Sequence, residues 1–207
     1  MIKRELYMNR IRPFIGGELI KVMTGIRRSG KSVMLELIKE ELAEAGVAPS
    51  QMISINFEDM RYSHLQTATA LHDEIIKRAE GIEGKAYLFF DEIQEVEGWE
   101  KCVNSLRVAL DCDIYITGSN AKLLSGELAT YIGGRYVEFV ISPFSFAEFL
   151  ELYHTIAPSD SIQQCFQKYL LAGGMPYLAN LRYEEEPSRQ YLTDLFNSVQ
   201  LKDIVKR

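Results

Sequence analysis

Gly25-Ile26-Arg27-Arg28-Ser29-Gly30-Lys31-Ser32 satisfies the spacing G-x-x-x-x-G-K-[ST], and few eight-residue patterns restrict a chain so tightly. Its glycines allow backbone angles that turn successive N–H groups inward. A helix opening at the lysine would add its unpaired amides and the positive end of its dipole. Such a loop suits phosphate oxygens when a strand feeds it and a helix leaves it. Both are expected here. Glu18 to Thr24 (ELIKVMT) is apolar-leaning and ends at Gly25. Lys31 to Ala45 carries Val33, Leu35, Leu37, Ile38 and Leu42 among polar residues and stops near Gly46 and Pro49. A chain of this length meets the pattern by accident about once in a hundred, and the strand–loop–helix context makes accident rarer still.

The candidate nucleotide contacts are therefore Gly25, Arg28, Ser29, Gly30, Lys31, Ser32 and Val33. Lys31 is placed to reach the β- and γ-phosphates, and the Ser32 hydroxyl to hold Mg²⁺. For Arg27 and Arg28, contact with phosphate or with a partner subunit competes with a plain role as solvated surface arginines.

The rest of the chain supplies the alternation such a loop needs. Strands are expected at Met52 to Phe57, Ala86 to Phe90, Asp113 to Thr117 and Tyr136 to Ile141. Helices are expected at Thr67 to Glu80 and Trp99 to Leu110. The continuous apolar run AYLFF fits a strand buried on both faces. Alternating elements of this kind mean a parallel sheet covered on both sides. After Pro143 the pattern turns helical, at Phe146 to Tyr153, Ile162 to Ala172 and Pro187 to Val199, with Gly173, Gly174 and Pro176 as a break. We expect an α/β core over residues 1–142 and a helical extension over 143–207.

Asp91 and Glu92 close the Ala86–Phe90 run, and ligands of open parallel sheets lie at the carboxyl ends of strands. Asp91 can join the magnesium shell, while Glu92 can orient and deprotonate an attacking water. Without the upstream loop, such a pair would read as a solvated turn. Both carboxylates are expected on the strand adjoining the loop strand. One further strand and helix separate Lys31 from Asp91 in sequence, a pattern of hydrolases rather than of nucleotide kinases or GTPases. No [NT]-K-x-D guanine-reading motif occurs, which favours adenine.

Asn120, or failing it Ser119 or Thr117, could sense the γ-phosphate or the attacking water. The competing reading is an N-cap on a short helix through Leu124. Arg135 follows Gly133-Gly134 and could stabilise transition-state charge on a neighbour's γ-phosphate, which would require a homo-oligomer; the plain alternative is a structural surface arginine. Glu58 and Asp59 read as solvated, and the aromatic stretch Phe139 to Phe149 as core.

Composition narrows the partners. Net charge is −6, yet up to Lys31 eight basic residues stand against two acidic ones, a surplus of six, so the remainder carries −12. A basic start serves phosphates, whereas residues past Pro143 carry no basic stripe for DNA. No apolar run approaches the ~20 residues of a membrane span. Three cysteines without a C-x-x-C pair argue against a zinc site or a disulfide framework and fit a reducing cytoplasm.

Together these residues resemble a known group, the AAA-fold ATPases of bacteria and archaea that carry an uncharacterised carboxy-terminal domain. The group is similar in turn to origin-recognition-type and signal-transduction ATPases. The resemblance rests on the phosphate loop, Leu88-Phe89-Phe90-Asp91-Glu92-Ile93-Gln94, Thr117-Gly118-Ser119-Asn120-Ala121-Lys122-Leu123-Leu124-Ser125, Gly134-Arg135, Ser142-Pro143-Phe144-Ser145-Phe146-Ala147-Glu148-Phe149 and Gly173-Gly174-Met175-Pro176. It runs from about Arg10 to the end of the chain. It implies an AAA-type P-loop NTPase of the additional-strand class, with a three-layer core around a five-stranded parallel sheet. It also implies Asn120 as sensor and Arg135 as arginine finger. The loop departs from the group's frequent Gly-Pro-Arg-Gln-x-Gly-Lys-Thr at Ile26, Arg28 and Ser32, and the serine keeps the metal-binding hydroxyl. Members usually continue for about as many residues again, so an unknown protein or DNA partner is expected to be met there.

The first functional expectation is Mg²⁺-dependent ATP binding and hydrolysis driving a conformational switch, with Glu92, Lys31, Asn120 and Arg135 as catalytic groups and Ser32 and Asp91 at the metal. The second is a nucleotide-gated protein- or DNA-binding module with little or no hydrolysis. A small-molecule kinase ranks third, since no acceptor pocket or arginine-rich lid is visible.

Overall fold

The computed structural model describes residues 2–118 and 132–199. By its internal packing the chain forms two compact units. The first comprises residues 5–25 and 31–141; the second comprises residues 1–4, 26–30 and 142–207.

The first unit is built on five strands, β1 (Ile20–Thr24), β2 (Met52–Asn56), β3 (Ala86–Asp91), β4 (Cys112–Thr117) and β5 (Tyr136–Val140). They pair in the order β2-β3-β4-β1-β5, and every pairing is parallel. Strand side chains alternate between faces, and the sequence alternates with them. Ile20, Val22, Leu88, Phe90, Ile114 and Ile116 share one core with α3 (Ala68–Ala79) and α4 (Trp99–Ala109), through Leu71, Ile75, Trp99, Val103 and Leu106. Met23, Phe89, Tyr115 and Phe139 share the other with α1 (Glu5–Ile11) and α2 (Lys31–Glu44), through Met8, Ile11, Met34 and Ile38. Helices thus cover both faces. This is the three-layer architecture of the P-loop NTPases, with the five-stranded parallel sheet in the middle.

One expectation about the sheet is corrected. The strand carrying Asp91 does not adjoin the loop strand; β4 lies between β3 and β1, while β2 occupies the edge. The strand between them in space is therefore the one after Asp91, not the one before it. Because of this insertion Thr117, at the end of β4, stands beside Asp91.

The second unit contains α5 (Phe146–Tyr153), α6 (Ile162–Ala172) and α7 (Glu185–Val199). Both α5 and α6 open on capping boxes, Ser145 with Glu148 and Ser161 with Gln164. Phe149, Tyr153, Cys165, Met175, Leu178 and Tyr183 form its core, with Phe149 stacked on Tyr153 at 5.1 Å. Phe139 and Phe149 are buried in their respective units, so the aromatic stretch is core, as expected. Among the described residues no helix is long and apolar enough to cross a membrane.

Candidate nucleotide-binding site

Lys31, Ser32, Asp91 and Glu92 gather at the carboxyl end of the sheet, whereas Arg135 precedes β5 at the amino end, where its carbonyl accepts the Ile20 N–H at 3.0 Å. β1 ends at Thr24, Gly25 follows with φ +138°, and α2 opens at Lys31. Lys31 is 5% exposed, and its ammonium donates to the carbonyl of Gly25 at 3.3 Å, folded toward the first residue of its own loop. One residue on, the exposed Ser32 hydroxyl donates to Asp91 Oδ1 at 3.1 Å. Loop and acidic pair therefore meet across the intervening strand.

Asp91 collects two further donors. Asn56, at the end of β2, donates from Nδ2 to Oδ2 at 3.1 Å, and the Thr117 hydroxyl donates to Oδ1. The same hydroxyl accepts the Glu92 N–H at 3.0 Å. Thr117 thus bridges the two members of the acidic pair. Glu92 itself takes left-handed angles (φ 54°, ψ 45°), uncommon outside glycine, asparagine and aspartate. The turn swings its side chain away from the strand course. Its Oε2 accepts from Gln94 Nε2.

The donor set fits Mg²⁺. That ion prefers hard oxygen ligands and keeps waters and substrate phosphates around one or two protein groups. Ser32 Oγ and Asp91 Oδ1, 3.1 Å apart, supply such a pair. Among the described residues no cluster of three or more His, Cys, Asp or Glu side chains offers a fuller cage.

The middle of the loop, residues 26–30, belongs to the second unit. There Gly30 has φ +101°, and Arg28 is left-handed at φ +63°. Ser29 is fully buried, and its hydroxyl has no hydrogen-bond partner among the described residues. Its carbonyl accepts from Arg4 Nη1 at 3.0 Å. Arg4 in turn donates from Nε to Glu148 Oε1 at 2.8 Å and from Nη2 to the carbonyl of Ser142 at 2.8 Å, lying 5.2 Å from the centre of the Phe144 ring. Arg28 is exposed, with its guanidinium 5.9 Å above the Tyr191 ring, and Arg27 Nε is buried without a hydrogen-bond partner among the described residues. Val33 is 38% exposed on the first turn of α2, so only its backbone amide suits a phosphate.

Arg135 is exposed and donates to Asn104 Oδ1 at 2.9 Å. Asn120 and Ser119 lie outside the described residues. Asp59 is engaged by Arg61 at 2.8 Å, and that pairing holds its carboxyl below the usual range. Sequence reasoning missed Asn56 and Gln94 as parts of the site in the first unit, and Arg4 as the donor to the Ser29 carbonyl in the second. For Asn56 a signal existed, a polar residue at the carboxyl end of the buried run MISINF. Gln94 sits two residues past the acidic pair.

The fold and the site's geometry narrow the choice to nucleotide-binding P-loop folds, and comparison with known proteins decides among them. Residues 18–150, well over half the chain, match the family described as AAA domain. The chain belongs to the AAA domain family. Within this prokaryotic AAA-type P-loop class, it is 41% identical over 208 residues to an uncharacterized protein of Haemophilus influenzae, a match covering 100% of this chain and 51% of that protein. It is 34% identical over 197 residues to the uncharacterized protein MJ1544 of Methanocaldococcus jannaschii, covering 91% and 42%. The chain spans about half the length of these curated relatives. Among solved structures, the AAA domain is similar to the P216G mutant of Thermotoga maritima RuvB (TM-score 0.52, 15% identity, 98% of this chain and 69% of that one). It is equally similar to Aeropyrum pernix ORC1, solved in complex with DNA (TM-score 0.51, 15% identity, covering 97% and 66%). At such identities the likeness speaks for the fold alone.

Proposed function

We propose that this AAA domain binds ATP with Mg²⁺ and hydrolyses it, and that the exchange of ATP for ADP switches its conformation. The observation that carries the reading is the Ser32–Asp91 hydrogen bond at 3.1 Å with Glu92 next in the chain. It brings the metal-binding hydroxyl, the metal-shell carboxylate and a candidate base to one end of the sheet. Lys31 would leave the Gly25 carbonyl for the β- and γ-phosphates, exchanging a neutral acceptor for charged ones. Bound magnesium would neutralise charge on the β- and γ-oxygens. Asp91 accepts from three donors and holds Ser32 in place. Glu92 takes a proton from water as its oxygen attacks the γ-phosphorus in line with the departing ADP. Asn120 is assigned to that water or the γ-phosphate.

Arg135, exposed on the first unit, is assigned to the γ-phosphate of a neighbouring copy, where such an arginine is worth about 10³–10⁵ in rate. Partner recognition, by protein or DNA, is assigned to the part of the longer relatives that this chain does not match. Use of ATP and magnesium, together with the free cysteines Cys102, Cys112 and Cys165, supports a cytoplasmic location. Burial pushes the Cys102 thiol up to about 12, which keeps it inert.

The test is Glu92→Gln. ATP should still bind, while turnover falls about 10²–10⁴-fold, the share of a positioned general base. Equal turnover in variant and parent would remove Glu92 from the mechanism. Binding without turnover in the parent would leave a nucleotide-gated module, and phosphate release in the absence of any acceptor dismisses a kinase.

A further inference from the structure

We propose that Gln94 is a positioning residue for hydrolysis, fixing the Glu92 carboxylate through its amide N–H and offering its carbonyl oxygen as a second acceptor for the attacking water. The inference rests on the hydrolysis reading above and carries it one residue further. Two observations support it. Gln94 Nε2 donates to Glu92 Oε2, and Gln94 Oε1 is buried with no hydrogen-bond partner among the described residues. The orientation of the amide follows from charge. Turned the other way, its carbonyl oxygen would face an ionised carboxylate, and its N–H₂ would lose its acceptor.

Local structure makes the contact hard to avoid. Glu92 is left-handed at φ 54°, and residues Ile93–Glu95 form a single 3₁₀ turn whose Ile93 is buried in the core of the first unit. The turn brings the side chains of residues 92 and 94 together, while the Glu92 N–H is tied to Thr117. Without a donor, a glutamate at the mouth of a site samples several rotamers; with Gln94 bound to Oε2, one arrangement is selected and Oε1 is left for the water.

A buried acceptor without a partner costs about 1–3 kcal/mol, so Gln94 Oε1 calls for a donor. Water has two hydrogens to give. One goes to Glu92 during attack, and the other is held by Gln94 Oε1. As the water oxygen bonds to the γ-phosphorus, the bond from phosphorus to the β,γ-bridging oxygen breaks, and its electron pair leaves with ADP. The Glu92 carboxylate becomes the acid, and the second hydrogen stays on the hydroxyl of the phosphate formed. Fixing both hydrogens orients the lone pair at phosphorus, a gain of geometry and not of binding.

The prediction is a split between rate and affinity. In single-turnover phosphate release with the full chain, Gln94→Met keeps the side chain's length and loses both polar atoms. It should lower the rate about 10- to 100-fold, as losing the support of a catalytic group typically does, and leave ATP affinity within about twofold. Gln94→Glu sets a second carboxylate against the first and should fall at least as far. Because Gln94 and Glu92 hold the same water, Gln94→Met added to Glu92→Gln should cost clearly less than it does in the parent, a non-additivity no general loss of stability produces. Parent-like release by Gln94→Met, or additive losses in the double variant, would overturn the assignment while hydrolysis itself stood. A parent that binds ATP and releases no phosphate would overturn both.

Discussion

Asp113 is fully buried, and its carboxylate takes the Lys21 ammonium, the Tyr115 hydroxyl at 2.7 Å and the Gly16 N–H at 2.6 Å. Burial pulls the Lys21 ammonium below its ordinary value, and the attraction of Asp113 only partly restores it. The two partners are not equivalent. Removing the carboxylate takes the acceptor from a phenol and an amide and leaves the ammonium with the Gly17 carbonyl at 3.2 Å and no counter-charge, whereas removing the ammonium leaves Asp113 with two donors. Asp113→Ala should therefore cost about 3–5 kcal/mol and Lys21→Met clearly less. In urea unfolding the midpoint should drop with an unchanged slope. Equal losses would mean that the ion pair, and not the three-donor cluster, is what matters. The same logic explains what was legible at the phosphate end. Lys31, Ser32, Asp91 and Glu92 sit at fixed offsets from a loop and a strand end, so spacing alone brings them forward. The contacts of Asp91 with Asn56 and Thr117 depend on β3 lying between β2 and β4, which no local pattern contains.

Elements with a clear period were readable nearly to the residue. The α5 and α6 spans coincide with Phe146–Tyr153 and Ile162–Ala172, and the strands differ from expectation by a residue or two. α7 begins at Glu185, two residues before the expected Pro187, because proline is tolerated in a first turn where its missing N–H has no partner to lose. α1 was missed altogether. At seven residues it is too short to show a period or to stand alone, and it is held by burying Tyr7, Met8 and Ile11. The Gly173-Gly174 break has a steric cause that composition hides. Phe144 N–H donates to the Gly174 carbonyl at 2.7 Å, and a Cβ on Gly174 would stand 2.1 Å from the carbonyl oxygen of Phe144. Gly174→Ala should force these backbones apart and cost more than about 2 kcal/mol, seen as faster hydrogen exchange in α5 and α6 with α3 and α4 unchanged. Uniform protection in both would show that the loop absorbs a methyl group.

On the scale of the whole molecule, the second unit collects its residues from three stretches of sequence, and no single cut describes that. Its acid sensitivity follows from one group. Burial would raise the Glu148 carboxyl, but the hydrogen bonds from Arg4 and Ser145 outweigh burial and hold it below the usual carboxylate range. The unfolded chain then binds the proton more readily than the folded one. Stability from this group is complete above about pH 4.3, the ordinary glutamate value, and is lost as pH falls through the lower folded value. Glu148→Gln should weaken the second unit by roughly 3 kcal/mol at neutral pH, since it removes the counter-charge of a guanidinium whose side chain is 1% exposed. It should also flatten the acid limb of the unfolding curve, followed by near-ultraviolet circular dichroism of the tyrosines. A variant as acid-sensitive as its parent would assign that limb to another carboxylate.

The family match begins at residue 18, and a clone trimmed to that boundary would retain every letter of the phosphate-loop signature. It would nonetheless lack Arg4, whose guanidinium satisfies the Ser29 carbonyl and neutralises Glu148. Loss of the first four residues would therefore unsettle residues 26–30 without changing a letter of that signature.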